Sequence, residues 1–221
     1  MSMSENIVSG DLSRLNAKEK ERIRDALHLL INIFWSGDGR KDWSELWIKS
    51  PAVWSGLQHT VFVRPPRIVN YVRESQAQNQ ACPQHQALES EFVRIFVNTW
   101  GGVSAPLYHS FYSGDQRILM QEPVLIMHEK LENAGLAPRS QGEPVDHLCM
   151  ELEYLYFLLG LERQDQNNEL LRETSEFAGS FMFPWVSEFH RRIPDTGPSA
   201  FFALTAGAMK DLLYYLGRPV P

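Results

Sequence analysis

At 221 residues, 43% hydrophobic and 11% aromatic, the chain has the material for one substantial core and does not read as disordered. A formal net charge of -6 argues against nucleic acid or anionic lipid as a partner and favours a basic peptide. Two distant cysteines, Cys82 and Cys149, exclude a disulfide framework and a cysteine-rich zinc site, and they fit a reducing compartment.

Met1 to Arg14 is polar, carries Glu5 and Asp11, and reads as neither a signal nor a transit peptide; residues 1–15 are expected to form a flexible N-terminus. Asn16 has the character of an N-cap. After it, Ile23, Ala26, Leu27, Leu30, Ile31 and Phe34 recur at spacings of three and four, so a helix is expected over Ala17 to Trp35. Ser36-Gly37-Asp38-Gly39 ends it. A tryptophan-rich stretch follows (Trp43, Trp47, Trp54), with Pro51 placed to start a short helix. Arg64-Pro65-Pro66 breaks the chain, and a helix carrying Ile68, Val69 and Val72 is expected to dissolve into a polar segment. Residues 74–87 of that segment are a candidate hinge.

Leu88 to Phe96 is a compact amphipathic helix with Leu88, Phe92, Ile95 and Phe96 on its apolar side, ended by Gly101-Gly102 and Pro106. Ile118 to Asn133 reads as another helix, closed by Gly135 and Pro138. A helix is then expected from Pro144, at the first helical position, to about Leu161, with Asp146 at the positive end of its dipole. Its stripe is Leu148, Leu152, Leu155 and Leu159. Glu169 to Phe183 is expected to be helical up to Pro184, and Ser199 to Leu216 to form the last helix, ending at Gly217. No run alternates as a strand would, and none approaches the roughly 18 apolar residues of a membrane span. The fold class is therefore all-α: a single helical-bundle domain over 1–221 with about ten helices, or two apposed helical halves.

Motifs for chemistry are scarce. There is no phosphate-binding glycine loop and no Gly-x-Ser-x-Gly, and neither cysteine has a catalytic context. No two of His28, His59, His85, His109, His128, His147 and His190 fall at i, i+4 around a carboxylate, so no metal site is expected. Glu151 and Glu153 sit about 200° apart on a helix and cannot act jointly, although one of them is placed to form an ion pair inside the bundle. Trp43, Trp47, Tyr154, Tyr156 and Phe157 read as core before cage. Helix statistics alone make Asp146 a dipole-stabilising residue at N3 and His147 an ordinary surface residue.

Glu143-Pro144-Val145-Asp146-His147-Leu148-Cys149-Met150-Glu151-Leu152-Glu153-Tyr154-Leu155 nevertheless resembles the E-P-x-D-H-[IL]-x-x-E-L-E-[FY] signature of the TorD/DmsD/NarJ-type redox-enzyme maturation chaperones. Leu88 to Phe96 resembles that family's E-[FY]-x-R-[LI]-F helix, Tyr108 to Tyr112 its Y-x-S-x-Y segment, and Phe183 to Phe189 its L-x-P-W-[VI]-P-x-F segment. There are two departures: Phe181 stands where a histidine often precedes the tryptophan, and Ser187 where a proline follows it.

The resemblance implies a helical, cytoplasmic chaperone and no catalyst. Such a chaperone binds the twin-arginine signal peptide of a molybdoenzyme precursor, or its catalytic subunit, and holds it for cofactor insertion before export. It implies Asp146, His147, Glu143, Tyr154, Trp185, Tyr108 and Tyr112 as peptide-binding residues, with Asp146 as the carboxylate facing an arginine. It implies no cofactor of the chaperone's own, and leaves open contact with a guanine nucleotide or the molybdenum cofactor. A NarJ-like chaperone without leader recognition, a helical adaptor, and a monomer or helix-exchanged dimer all stay open, as does the identity of the client.

Overall fold

A computed structural model describes residues 6–8, 12–35, 41–77, 85–97, 102–114, 122–137, 142–165 and 168–219. Helix α1 (Ala17–Phe34) begins with a complete capping box: the Asn16 side chain accepts from the Lys18 and Glu19 amides, and Glu19 accepts from the Asn16 amide at 2.9 Å. Its apolar stripe lies against α6 (Leu148–Asp165), the two forming the most extensive helix pairing in the fold. Helix α2 (Trp43–Gly56) is capped by Asp42 and runs through Pro51 instead of starting there. Three tryptophans on neighbouring turns, Trp43, Trp47 and Trp54, are buried, and that packing outweighs the one backbone bond the proline forgoes.

Helix α3 (Arg67–Ala77) extends into the polar residues expected to dissolve it. Residues 78–84, half of the candidate hinge, lie outside the described residues. Helix α4 (His85–Phe92) widens into a π turn over Val93–Val97, and α5 spans Glu122–Asn133. The beginning expected for α5, residues 118–121, is likewise not described. Helix α9 (Ser199–Leu216) is apolar nearly all round and accordingly occupies the middle of the bundle, with Phe201, Phe202, Met209, Leu212, Leu213 and Leu216 buried.

Pro184 does not end a helix. Helix α7 (Asn168–Glu176), a π turn over Phe177–Met182, and α8 (Phe183–Arg192) form one rod. A π turn is wider than an α turn and already interrupts the i→i−4 ladder, so the proline's missing N–H and its ring are accommodated there. The rod is locked at this point by a close backbone approach. A Cβ on Gly179 would lie 2.7 Å from the Gly217 carbonyl oxygen, so only glycine fits. With the π turns counted into their rods, the described residues hold eight long helical stretches, against the ten or so expected. None pairs as a strand beyond isolated bridges.

Among the residues expected to be a flexible N-terminus, Ile7 is buried and bridges Phe62. Leu12 is buried in a short 3-10 turn over Leu12–Arg14. One continuous buried cluster joins residues from every long helix. Among the described residues no helix is long and apolar enough to cross a membrane.

Candidate functional site

The signature stretch is not helical from Pro144. Residues 145 and 146 form a turn and α6 begins at Leu148, so Pro144 is not the first helical residue and Asp146 is not at N3. The reason is a competing set of backbone bonds. Leu148 N–H donates to the Leu107 carbonyl at 2.7 Å and His109 N–H to the Asp146 carbonyl at 3.0 Å, so Leu107 to His109 runs antiparallel to Asp146 to Leu148. His147 takes the cap position: its Nδ1 accepts from the Cys149 amide at 3.1 Å, which assigns the proton to Nε2. It is fully buried, edge-on to Trp35 and Tyr108, and not a surface residue. Burial, with the Lys41 ammonium adding to it, holds its pKa down at about 4.

Asp146 is 1% exposed. Its Oδ2 accepts from the Ser110 amide at 2.9 Å and from the Ser110 hydroxyl, pinning the 3-10 turn His109–Tyr112 to the start of α6. Oδ1 is buried without a hydrogen-bond partner, a condition that costs about 1–3 kcal/mol. Glu143 accepts from the Tyr108 hydroxyl at 2.8 Å and closes the outer side of the same clamp. Asp146, His147, Glu143 and Tyr108 therefore form one group, and it grips the segment Leu107–Tyr112.

The second group lies one turn further along α6. Glu151, fully buried, is 2.9 Å from His109 Nδ1 through Oε1 and accepts from Trp185 Nε1 at 3.0 Å through Oε2. Glu153, two residues on, is only half-buried, as their opposite facing on the helix requires. Burial drives the Glu151 carboxyl well above its ordinary range and brings His109 down to about 4. The pair thus shares a hydrogen bond between carboxyl and imidazole, with burial disfavouring charge on both, and the indole N–H on the carboxyl's other oxygen.

Around this pair the aromatic rings form a continuous chain. Tyr154 meets Phe177 at 4.8 Å, Phe177 meets Phe181 at 5.0 Å, Phe181 meets His109 at 4.6 Å, His109 stacks on Trp185 at 5.2 Å, and Trp185 meets Tyr112 at 5.4 Å. Tyr112 donates to the Pro106 carbonyl at 2.8 Å; Tyr154 donates to Glu173, which also accepts from Lys130 at 2.6 Å. Burial raises the pKa of both phenols.

Tyr154 therefore joins Trp185 and Tyr112 through this chain, while the rings against His147 are those of Trp35 and Tyr108. Sequence reasoning missed His109, Ser110 and Phe181, and left Glu151 without a partner. Phe181 was legible only as a departure from the family pattern. In the structure it packs on His109, so an imidazole is present in the cluster but comes from another segment. His109, Tyr112 and Trp185 also line an open cavity of about 350 Å³.

Residues 66–191, more than half of the chain, match the nitrate reductase delta subunit family. The chaperone protein TorD of Photobacterium profundum is 25% identical over 141 residues, covering 59% of this chain and 65% of that protein. TorD of Vibrio atlanticus is 26% identical over 141 residues, with the same coverage of 59% and 65%. The chain thus spans somewhat less than two thirds of the length of these relatives. A solved structure of a putative redox enzyme maturation protein from Archaeoglobus fulgidus is similar at a TM-score of 0.54 and 20% identity, covering 92% of this chain and 98% of that one. That likeness concerns the fold alone.

Proposed function

Because the chain belongs to the nitrate reductase delta subunit family, we propose that it is a maturation chaperone for a redox enzyme, acting as a binding protein and not a catalyst. In the finer form of this proposal it works in the cytoplasm. It binds the twin-arginine leader of a molybdoenzyme precursor, or that enzyme's catalytic subunit, and holds it for cofactor insertion before export.

The observation that carries this reading is convergence. The four stretches that resemble the family's motifs are far apart in sequence, yet they meet around one cluster. Phe96 stacks on Phe189, Phe189 packs on Trp185 and Tyr112, and Trp185 donates to Glu151 in the signature helix. The buried side chains that meet from four segments fix the half-buried Tyr112 beside an open cavity, a composite arrangement that no single helix presents and that suits recognition of an extended or amphipathic partner.

Within this reading the residues divide by role. Asp146, His147 and Glu143 hold the segment Leu107–Tyr112 in place, while the half-buried Tyr108 and Tyr112 carry the contact surface, backed by the buried Trp185 and by Tyr154 through Phe177. A carboxylate as buried as Asp146 is a positioning residue for the peptide, not its ionic partner. That burial also favours a second reading, in which the client is the folded catalytic subunit and leader recognition is absent.

Titration with a fluorescent twin-arginine leader, taken from a molybdoenzyme gene beside this coding sequence, separates the two. Micromolar or tighter binding that weakens with salt is expected from leader recognition. Absence of leader binding, with capture of the catalytic subunit, would select the second reading. Failure with both clients would overturn the chaperone proposal.

A further inference from the structure

Ahead of α1, a short strap of chain closes over the rim of the bundle. Residues 6–8 run antiparallel to residues 61–63: Val8 N–H donates to the Val61 carbonyl at 2.9 Å and Val63 N–H to the Asn6 carbonyl at 2.8 Å. The Asn6 carboxamide extends the pairing, accepting from the Arg64 amide at 3.1 Å and donating to the Arg64 carbonyl at 3.3 Å. Ile7 is the apolar anchor, buried opposite Phe62. This is strand addition carried out within one chain, with main-chain bonds giving the hold and one side-chain slot the choice of occupant.

The strap's other hold comes from beyond the end of α9. Arg218 Nη1 donates to the Val8 carbonyl at 2.6 Å, and the carbonyl of the same arginine accepts from Ser175 Oγ at 2.6 Å, near the end of α7. Its neighbour Gly217 is the residue against which Gly179 closes, with no room for a Cβ on either. Gly179 lies in the π turn Phe177–Met182. That turn sets Phe177 against Phe181, and Phe181 packs on His109 at 4.6 Å. A continuous line of contacts therefore joins the strap to the imidazole side of the candidate site, with one arginine as its first link.

We propose that residues 6–8 are an internal effector strap: docked on 61–64 and Arg218, it holds the π turn 177–182 and, through Phe181, the His109 side of the candidate site; released, it loosens both. The proposal goes beyond the chaperone reading and does not depend on which client binds. The strap is suited to exchange between two states. It is a three-residue pairing at the rim, beside the half-exposed Val63, and local openings cost least where few buried contacts hold a segment. A segment with two states biases a distant site only through contacts that change with it, and Arg218 supplies them. Without the Val8 carbonyl its guanidinium has a second resting place, the rings of Tyr214 and Tyr215, already 5.4 and 5.9 Å away. The backbone of Arg218 and Gly217 is then no longer braced from outside against the π turn.

The test is hydrogen–deuterium exchange of the full chain carrying Ile7→Ser, which releases the strap. Exchange is expected to speed up about fivefold or more at residues 61–63, and also at 177–183 and 109–112, with α1 unchanged. Asn6→Ala, which removes the carboxamide pair and no buried side chain, is expected to do the same more weakly. Arg218→Gln, which cuts the link and leaves the Ile7 anchor, is expected to act on 177–183 and 109–112 more than on 61–63. A peptide with the sequence of residues 4–9, acetyl-Ser-Glu-Asn-Ile-Val-Ser-amide, added in excess to the Ile7→Ser chain, is expected to restore slow exchange in all three segments. Its counterpart with serine in place of isoleucine is expected to restore none. Faster exchange confined to 61–63 in both strap variants, or a peptide that restores 61–63 alone, would overturn the proposal.

Discussion

Around Trp43, Trp47 and Trp54 the bundle is packed with aromatic rings, Trp47 on Phe201 at 5.1 Å and Trp43 edge-on to Phe202 at 5.5 Å, and the polar atoms buried there without partners are neutral: the Trp47 and Trp54 indole N–H groups and the Ser50 hydroxyl. Around Glu151 the interior is equally dry, but the buried groups there are ionisable: a glutamate carboxyl, two imidazoles and an aspartate with one unpartnered oxygen. Both regions exclude water and both leave polar atoms unpaired, yet only the second buries groups that can carry charge. An ionisable group in a dry interior is costlier than a neutral one unless fully paired, and Asp146 is not. The difference separates a region that holds the fold from one in which arrangement matters more than stability.

Truncations in the two regions should separate accordingly, and the largest effect is expected in the apolar one. Trp47→Ala should cost about 3–5 kcal/mol in urea unfolding and leave leader affinity unchanged per folded molecule. A parallel loss of affinity would erase the distinction between the regions. Glu151→Ala strands both His109 and Trp185 Nε1 and should cost about 2–4 kcal/mol, whereas Glu151→Gln should cost under about 1 kcal/mol. Glutamine mimics a protonated acid in shape and hydrogen bonding, so a large cost for Glu151→Gln would show that the group is ionised.

The pH dependence follows from the same cluster. His109 and His147, both depressed to about 4, contribute stability that is full above their unfolded pKa near 6.5 and is lost as pH falls through 4. Each contributes up to about 3 kcal/mol at its fullest. Glu151, raised, acts in the opposite sense, its stability present below the ordinary carboxylate range and lost as pH rises through its own pKa. Thermal melting should therefore drop between pH 6.5 and 4, and His109→Phe should flatten that slope.

Asp146→Ala frees the Ser110 amide and hydroxyl and should cost about 1–3 kcal/mol. It should also speed hydrogen exchange at residues 108–112 and lower leader affinity. Unchanged exchange in that segment would dissolve the clamp. The smallest effect, about 1 kcal/mol, is expected for Asn16→Ala at the α1 cap, remote from both regions, with no change in binding.

Much of this was written locally in the chain. The α1 cap and stripe, the central α9 and the all-helical class follow from residues that signal to their near neighbours. Pro51 and Pro184 misled because a proline's effect depends on what surrounds it: three buried tryptophans in one case, a π turn in the other. The signature end of α6 was misplaced by the same limitation. Pro144 and Asp146 suit a helix start, but backbone bonds from Leu107 and His109, some forty residues away, decide where the helix begins.

Glu143, Tyr108, Tyr112 and Trp185 were singled out through the resemblance to a family, and they lie close around the start of α6. Their supports Ser110, His109 and Phe181 were not, because a serine or histidine in a short turn carries no signal of the buried carboxylate it will meet.

The most direct test of the account is hydrogen–deuterium exchange of the full chain with and without a saturating twin-arginine leader. The account predicts protection concentrated at residues 108–114, 122–126 and 180–188, with α2 and α3 unaffected. Protection centred on the tryptophan layer of α2, or none anywhere under conditions of demonstrated binding, would contradict it.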